Sequence, residues 1–273
     1  MERGKLYLVS TPIGNLGDLS PRARETLRSV DAIAAEDTRH TLRLLNHFEI
    51  KNRLISFHEH SDMRRAQELL DLLLEGKNLA LVTDAGTPIV SDPGAVIVQM
   101  AEKQGIDVVA IPGPCAAIAA LCVSALPADK FVFEGFLPRD KTRKRAIDRV
   151  MRQEYTVILY ESPHHLSRTL RELAALDASR KVAVCKEITK LHERVFRGTL
   201  KEALEAFDGD LKGEYVLVLE GRKPAEEEIG DEEIIDVLEQ YLAEGMSKKN
   251  AVQSTAQILG INRNRVYRLS LTR

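Results

Sequence analysis

Three short stretches place acids and cations where an apolar run ends: Glu36-Asp37-Thr38-Arg39, Glu161-Ser162-Pro163-His164-His165 and Lys186-Glu187-Ile188-Thr189-Lys190. A carboxylate can take up a proton, and a cation can hold developing negative charge, so each stretch could serve a reaction centre. Helix starts account for part of the pattern, with Asp37 or Thr38 as one cap and Ser162 before Pro163 as another. Capping leaves three pairings unexplained: Glu36 with Arg39, Glu161 with His164, and Lys186 with Glu187. Strand ends of α/β proteins carry functional side chains; ion pairing that serves only the fold is the other reading.

Beside these stretches run three loops of Gly, Pro and small polar residues. They are Ser10-Thr-Pro-Ile-Gly-Asn-Leu-Gly17, Thr83-Asp-Ala-Gly-Thr-Pro-Ile-Val-Ser-Asp-Pro-Gly94 and Pro112-Gly-Pro-Cys-Ala116. Each follows an apolar run and leads into a helix-like segment. Gly lets the main chain approach a ligand closely and Pro fixes its path, so the three loops together predict one pocket lined mostly by backbone. The phosphate-binding GxxxxGK[ST], the dinucleotide GxGxxG and the nucleophile-elbow GxSxG patterns do not occur. His58 and His60 flank Glu59, and His164 adjoins His165; neither pair has the i, i+4 spacing of a helical zinc site, and no metal is expected.

The elements that must position these groups follow from apolar periodicity. Strand-like runs recur at residues 5–10, 32–35, 54–57, 79–83 and 107–111, with helical patterns at 21–29, 38–48, 62–75 and 95–104 between them. That alternation predicts an α/β domain with a mainly parallel sheet over residues 1–114. A small-residue helix at 115–124 opens a second, α+β domain at residues 115–224, with strands at 130–133, 156–160, 181–185, 194–198 and 215–220 and antiparallel pairing among the last of them. Residues 221–228 read as a linker. Helical patterns at 231–243, 247–259 and 262–271 form a module at 228–273. In it Ala256, Gly260, Ile261 and Val266 have the spacing of a helix-turn-helix, which leaves Arg263, Arg265 and Arg268 facing outward.

The chain of 273 residues is 44% hydrophobic and 29% charged, enough apolar content for a proper core. No apolar run reaches the ~18 residues of a membrane span, and no signal peptide is evident, which predicts a cytoplasmic protein with no membrane partner. Cys115, Cys122 and Cys185 are read as reduced, buried thiols. The net charge of −2 conceals two basic segments: residues 139–152 hold seven basic and two acidic side chains, and residues 245–273 hold six basic and no acidic ones. Such patches are the footprint of nucleic-acid binding.

Taken in order, STPIGNLGDLSPRA, AEDTR, DAGTPIVSDPG, IPGPCAA, FEGFLPR, YESPHHL and CKEITKLHE resemble the tetrapyrrole methylase superfamily, and within it the enzymes that methylate a ribose 2′-hydroxyl of a cytidine in the decoding region of 16S ribosomal RNA. The resemblance covers about residues 5–220 and the short C-terminal module. It implies a two-domain α/β fold with S-adenosylmethionine in the cleft between domains, a homodimer, and the small ribosomal subunit as partner. It places the methyl donor against Pro12, Ile13, Gly14, Asp84, Ala85, Gly86, Thr87, Val90, Ser91, Cys115 and Ala116. Asn15 replaces the acid of the tetrapyrrole enzymes' first loop, which favours a different substrate. Cys115 stands where a hydroxyl is common; a main-chain contact survives that change. Glu36, Asp37, Glu161 and Glu187 are then candidate bases, with Lys186 and Arg39 as candidate charge stabilisers. Arg139, Lys141, Arg143, Lys144 and Arg145, with Arg263, Arg265 and Arg268, are candidate RNA contacts. A tetrapyrrole-type methyltransferase of the same fold and a non-catalytic nucleic-acid-binding regulator are the competing readings.

Overall fold

The computed structural model describes residues 3–58, 63–91, 94–209, 211–222 and 230–271. Glu59 and His60, Asp92 and Pro93 of the second loop, and linker residues 223–229 lie outside the described residues. The chain forms two compact units, Met1–Arg222 and Lys223–Arg273.

Short aliphatic runs build the first sheet of the larger unit: β1 (Leu6–Val9), β2 (Ala32–Ala35), β3 (Leu54–Ser56), β4 (Leu79–Val82) and β5 (Val108–Ile111). The strands pair in parallel in the order β3-β2-β4-β1-β5. β2 and β4 are buried along their whole length, as strands covered on both faces must be. Helices α1 (Pro21–Ser29) and α2 (Thr38–His47) cover one face through Ala23, Leu27, Leu44 and Leu45. Helices α3 (Met63–Leu74) and α4 (Ala95–Lys103) cover the other through Leu69, Leu73, Ile97 and Ala101. Ser20 caps α1, its side chain accepting from the Ala23 N–H, with Pro21 at the first helical position. β1 and β4 are neighbours, yet the chain leaves β1 toward β2 and leaves β4 toward β5. Open α/β sheets put their ligand crevice at the carboxyl ends of neighbouring strands whose onward connections run in opposite directions, as those of β1 and β4 do.

After β5 the chain enters α5 (Ala116–Ser124) and then a second sheet: β6 (Phe131–Phe136), β7 (Thr156–Glu161), β8 (Lys181–Lys186), β9 (Arg194–Thr199) and β10 (Tyr215–Leu219). Its order is β6-β7-β10-β8-β9, with β6 and β7 parallel and the remaining pairs antiparallel. Helix α5, apolar nearly all round, packs on one face against Ile158, Ala183, Cys185 and Val218. Helices α6 (Arg143–Arg152), α7 (Pro163–Ala174) and α8 (Leu200–Ala206) cover the other, over Val157, Leu159, Val184 and Leu217.

The smaller unit is three helices, α9 (Asp231–Ala243), α10 (Lys248–Ile258) and α11 (Arg263–Leu269), around Ile234, Leu238, Ala251, Val252, Ala256 and Val266. Gly260 makes the turn before α11 with a φ of 62°, a left-handed conformation that costs glycine little. Among the described residues no helix is long and apolar enough to cross a membrane. The expectation of three buried thiols needs correction. Cys185 is buried, Cys115 is half-buried and Cys122, on the outer side of α5, is exposed.

Candidate functional site

The three Gly/Pro loops meet beyond the carboxyl ends of β1, β4 and β5, and hydrogen bonds knit them together. Thr11 and Gly86 exchange main-chain bonds of 2.9 and 3.0 Å, joining the first loop to the second. The Thr87 hydroxyl donates to the Pro114 carbonyl at 3.1 Å, joining the second to the third. That bond uses the single hydroxyl proton of Thr87, so the 3.1 Å contact with Ser10 is donated by Ser10. Gly86 sits at φ 86°, and a Cβ there would stand 3.3 Å from the Ile13 side chain. Ile89 and Ser91, at φ 77° and 64°, hold left-handed conformations without being glycine; strain of this kind gathers in ligand loops.

Opposite these loops stand the ends of β6, β7 and β10 and the turn after β8. Together they enclose a cavity of about 390 Å³. A bulge in β6 between Phe133 and Gly135, with Gly135 at φ 66°, turns Phe136 onto the cavity rim. The Tyr160 ring meets Phe133 and Phe136 edge-on, and its hydroxyl accepts from the Ala117 N–H at 3.2 Å, fixing the start of α5.

Nine residues expected to hold the methyl donor border this cavity: Ile13, Asp84, Ala85, Gly86, Thr87, Val90, Ser91, Cys115 and Ala116. Pro12 and Gly14 do not. A Cβ on Gly14 would lie 2.4 Å from Cγ of Lys190, so this glycine permits a close approach of the first loop to the turn after β8.

The five candidate catalytic residues separate by what they already bind. Asp37 caps α2 by accepting from the Arg39 N–H at 2.8 Å, and its carboxylate pairs with the Arg39 guanidinium at 2.8 Å. The Arg39 hydrogen bond holds this carboxyl well below the usual carboxylate range. Asp37 is therefore a poor base, and Arg39 pairs with Asp37 rather than with Glu36 as the sequence suggested. Glu187 is corrected on the same ground. Its Oε1 accepts from Lys190 Nζ and from the Glu214 N–H, both at 2.9 Å, and the Lys190 bond keeps the carboxyl below its ordinary range. Its partner is Lys190, not Lys186; the Lys186 ammonium instead lies 5.8 Å from the Tyr215 ring centre. Neither Lys186 nor Glu187 borders the cavity.

Glu36 and Glu161 do border it, and among the described residues neither is ion-paired. Glu36 Oε2 accepts from the Thr83 hydroxyl at 2.8 Å. Beside it, burial pushes the Asp84 carboxyl above its ordinary value, and the Glu36 charge adds to the rise against the opposing hydrogen bond from the Asp37 N–H. Glu161 is buried, and its partners are the Ser162 N–H at 2.9 Å and the Thr169 hydroxyl at 2.5 Å, not His164 as the sequence suggested.

The basic run at 139–145 divides in a similar way. Arg139, Lys141, Lys144 and Arg145 are exposed, but Arg143 is buried, with its guanidinium on Glu172, Thr169 and the Pro138 carbonyl. Arg143 is thus unavailable to a phosphate. The sequence carried a signal of this: residues 143, 146, 147, 150 and 151 share the inward stripe of α6 at helical spacing. In the smaller unit Arg263 and Arg268 are exposed, whereas Arg265 pairs with Asp231 at 2.7 Å and is only partly outward-facing. Among the described residues no group of three metal-ligating side chains occurs.

The family described as Tetrapyrrole (Corrin/Porphyrin) Methylases matches residues 5–204. The chain belongs to the tetrapyrrole methylase family. Two curated relatives carry the name ribosomal RNA small subunit methyltransferase I. One, from Synechocystis, is 46% identical over 98% of each chain. The other, from Thermotoga maritima, is 46% identical over 81% of this chain and 100% of its own length. A uroporphyrin-III C-methyltransferase from Thermus thermophilus, solved with S-adenyl homocysteine, superimposes with a TM-score of 0.55 at 18% identity, covering 79% of this chain and 97% of its own.

On this tetrapyrrole methylase fold, Phe136, Glu214, Tyr215 and Val216 line the cavity although sequence reasoning did not select them. Phe136 reaches the rim through a bulge. The other three come from the start of β10 and the residue before it; the strand is remote in sequence and is inserted between β7 and β8 by antiparallel pairing. No local pattern reports either event.

Proposed function

We propose that the chain transfers the methyl group of S-adenosylmethionine to the ribose 2′-hydroxyl of a cytidine in the decoding region of 16S ribosomal RNA. The observation that carries this reading is the cleft itself: loops of the first sheet face the β7 and β10 ends of the second, with the carboxylates of Glu36, Asp84 and Glu161 on the walls, none of them ion-paired among the described residues, and an exposed cationic run leading from the β6 rim. The names of the near-full-length relatives support the RNA substrate.

The residues present fit the donor. A cavity of about 390 Å³ falls in the range of roughly 300–1,000 Å³ usual for small ligands. Ile13, Val90, Ala116, Phe136, Ile188 and Val216 supply apolar wall, and the main chain of the three loops supplies polar contacts.

Bound S-adenosylmethionine supplies an electrophilic methyl on a sulfonium cation. The protein's task is to set the acceptor oxygen in line with it and to take up the hydroxyl proton. Glu36 and Asp84 make the donor-loop wall negative, which suits a cationic donor. Glu161, on the wall from which the cationic run departs, accepts the proton. The same reading gives a homodimer acting on the small subunit in the cytoplasm. Leu191, 93% exposed, is an apolar side chain that a second copy would cover. Light scattering on the purified chain checks the dimer.

Incubation with methyl-labelled S-adenosylmethionine and, separately, assembled small subunits, naked 16S rRNA or tetrapyrrole precursors tests the reaction. Label recovered in a cytidine ribose is the expected result. Label in a porphyrinoid, or in none of the three, overturns the proposal.

A further inference from the structure

Arg143 is a buried cation in the middle of a surface-charged segment, and its contacts run in two directions. Nη1 donates to the Pro138 carbonyl at 3.2 Å, which anchors the start of the cationic loop. Nη2 donates to the Thr169 hydroxyl at 2.7 Å, and Nε donates to Glu172 at 2.8 Å. Thr169 is fully buried, and its hydroxyl in turn lies 2.5 Å from Glu161 Oε2 on the cavity wall.

The direction of these bonds is fixed by chemistry. A guanidinium has donors and no acceptor, so Thr169 Oγ must accept from Arg143. The one hydroxyl proton is then left for Glu161. The second carboxylate oxygen accepts from the Ser162 N–H. Glu161 is thereby held at both oxygens, and each keeps a lone pair for a further donor. Charge is balanced along the row as well: Glu172, which takes one Arg143 bond, also takes one from Arg168 at 2.9 Å. A buried carboxylate with no cation in contact is costly, and here the compensating charge reaches it through one hydroxyl.

We propose that Arg143 and Thr169 are positioning residues that hold the Glu161 carboxylate in one orientation at the cavity, from the same guanidinium that anchors the cationic loop at Pro138. The proposal rests on the reading of Glu161 as the acceptor of the ribose proton. Neither residue touches the reacting atoms; both act through Glu161.

The test is the series Thr169→Val, Thr169→Ser and Glu161→Gln, with Thr169→Val repeated in the Glu161→Gln background, assayed on the RNA substrate. Valine keeps the shape and removes the hydroxyl. Thr169→Val should lower kcat about 10- to 100-fold, the cost of a misaligned group, with KM for RNA and the Kd of S-adenosylmethionine unchanged. Thr169→Ser should restore turnover to within about threefold, and Thr169→Val should add less than about twofold to Glu161→Gln, because coupled groups are not additive. Wild-type kcat in Thr169→Val, equal impairment in Thr169→Ser, or full additivity with Glu161→Gln each overturns the relay. A wild-type protein that labels no RNA overturns the functional reading and the relay with it. Wild-type turnover in Glu161→Gln overturns the role of Glu161, and the relay falls with that role.

Discussion

The main-chain N–H of Asp37 donates to Oδ1 of Asp84 at 3.0 Å, tying the end of β2 to the end of β4. The bond locates Asp84 on the cavity wall beside Glu36, in surroundings that raise its pKa, first through burial and then through the Glu36 charge. A carboxyl whose folded pKa is raised is penalised when ionised. Asp84 therefore opposes folding at neutral pH, and the penalty is relieved as pH falls through its raised value. Asp84→Asn keeps an acceptor for the Asp37 N–H and removes the charge. Thermal melts should place this variant above wild type at neutral pH, with the gap closing as the pH approaches the acid range. Affinity for S-adenosylmethionine should fall in the same variant. A variant that melts below wild type at neutral pH would contradict the account.

Glu187 and Lys190 serve the loop after β8. Glu187 and Thr189 hold left-handed φ values of 53° and 67°, and the Glu187 carboxylate braces the turn against the Glu214 N–H. Glu187→Gln leaves an oxygen able to accept both bonds, so turnover should stay within about threefold of wild type. Glu187→Ala loses both bonds and should cost about 1–3 kcal/mol in urea unfolding. A large loss of turnover in Glu187→Gln at unchanged stability would return this residue to the chemistry.

The three thiols should differ in reactivity. Cys185 is fully buried, and burial pushes its pKa up to about 11, so it should label only on unfolding. Cys122 is exposed and should react first with a maleimide. Cys115, half-buried on the cavity wall, should react more slowly and be protected by S-adenosylmethionine. Mass spectrometry of each cysteine peptide with and without the donor reads all three. Unprotected Cys115 would place the donor elsewhere.

Truncation after Arg222 removes the smaller compact unit whole. The remaining unit should bind S-adenosylmethionine as the full chain does, since every cavity residue lies within it. Its affinity for RNA should fall, with a shallower dependence on salt, because Arg263, Arg268 and Lys249 are exposed cations of the unit removed. Filter binding across a salt series measures this. An unchanged slope would remove RNA binding from the roles of that unit.

The first sheet was legible in the amino-acid sequence because its signals are local. Apolar runs, a Ser-Pro helix start and Gly/Pro loops each report on neighbours along the chain, and the five runs became five parallel strands. The helix-turn-helix spacing around Gly260 was legible for the same reason. Glycine, proline and cap residues constrain φ and ψ wherever they occur.

Which acids remain free of cations was not legible in the sequence, although the two pairings that commit Asp37 and Glu187 are local ones. From the sequence, Glu36, Asp37, Glu161 and Glu187 were all candidates, with Glu187 beside Lys186 favoured because both signs meet at a strand end. The folded chain commits Asp37 to Arg39 and Glu187 to Lys190, and the winding of α7 brings Thr169 back to Glu161 at the end of β7. Arg143 shows the limit most clearly. As one of seven basic residues among residues 139–152 it read as a surface cation, yet its position on the inward stripe of α6 buries it beside Glu172 and Thr169. Residue type specifies what charge a side chain carries. Whether that charge meets solvent, a partner or a substrate depends on packing among elements far apart in sequence, where burial makes an unpaired charge costly enough to select one arrangement.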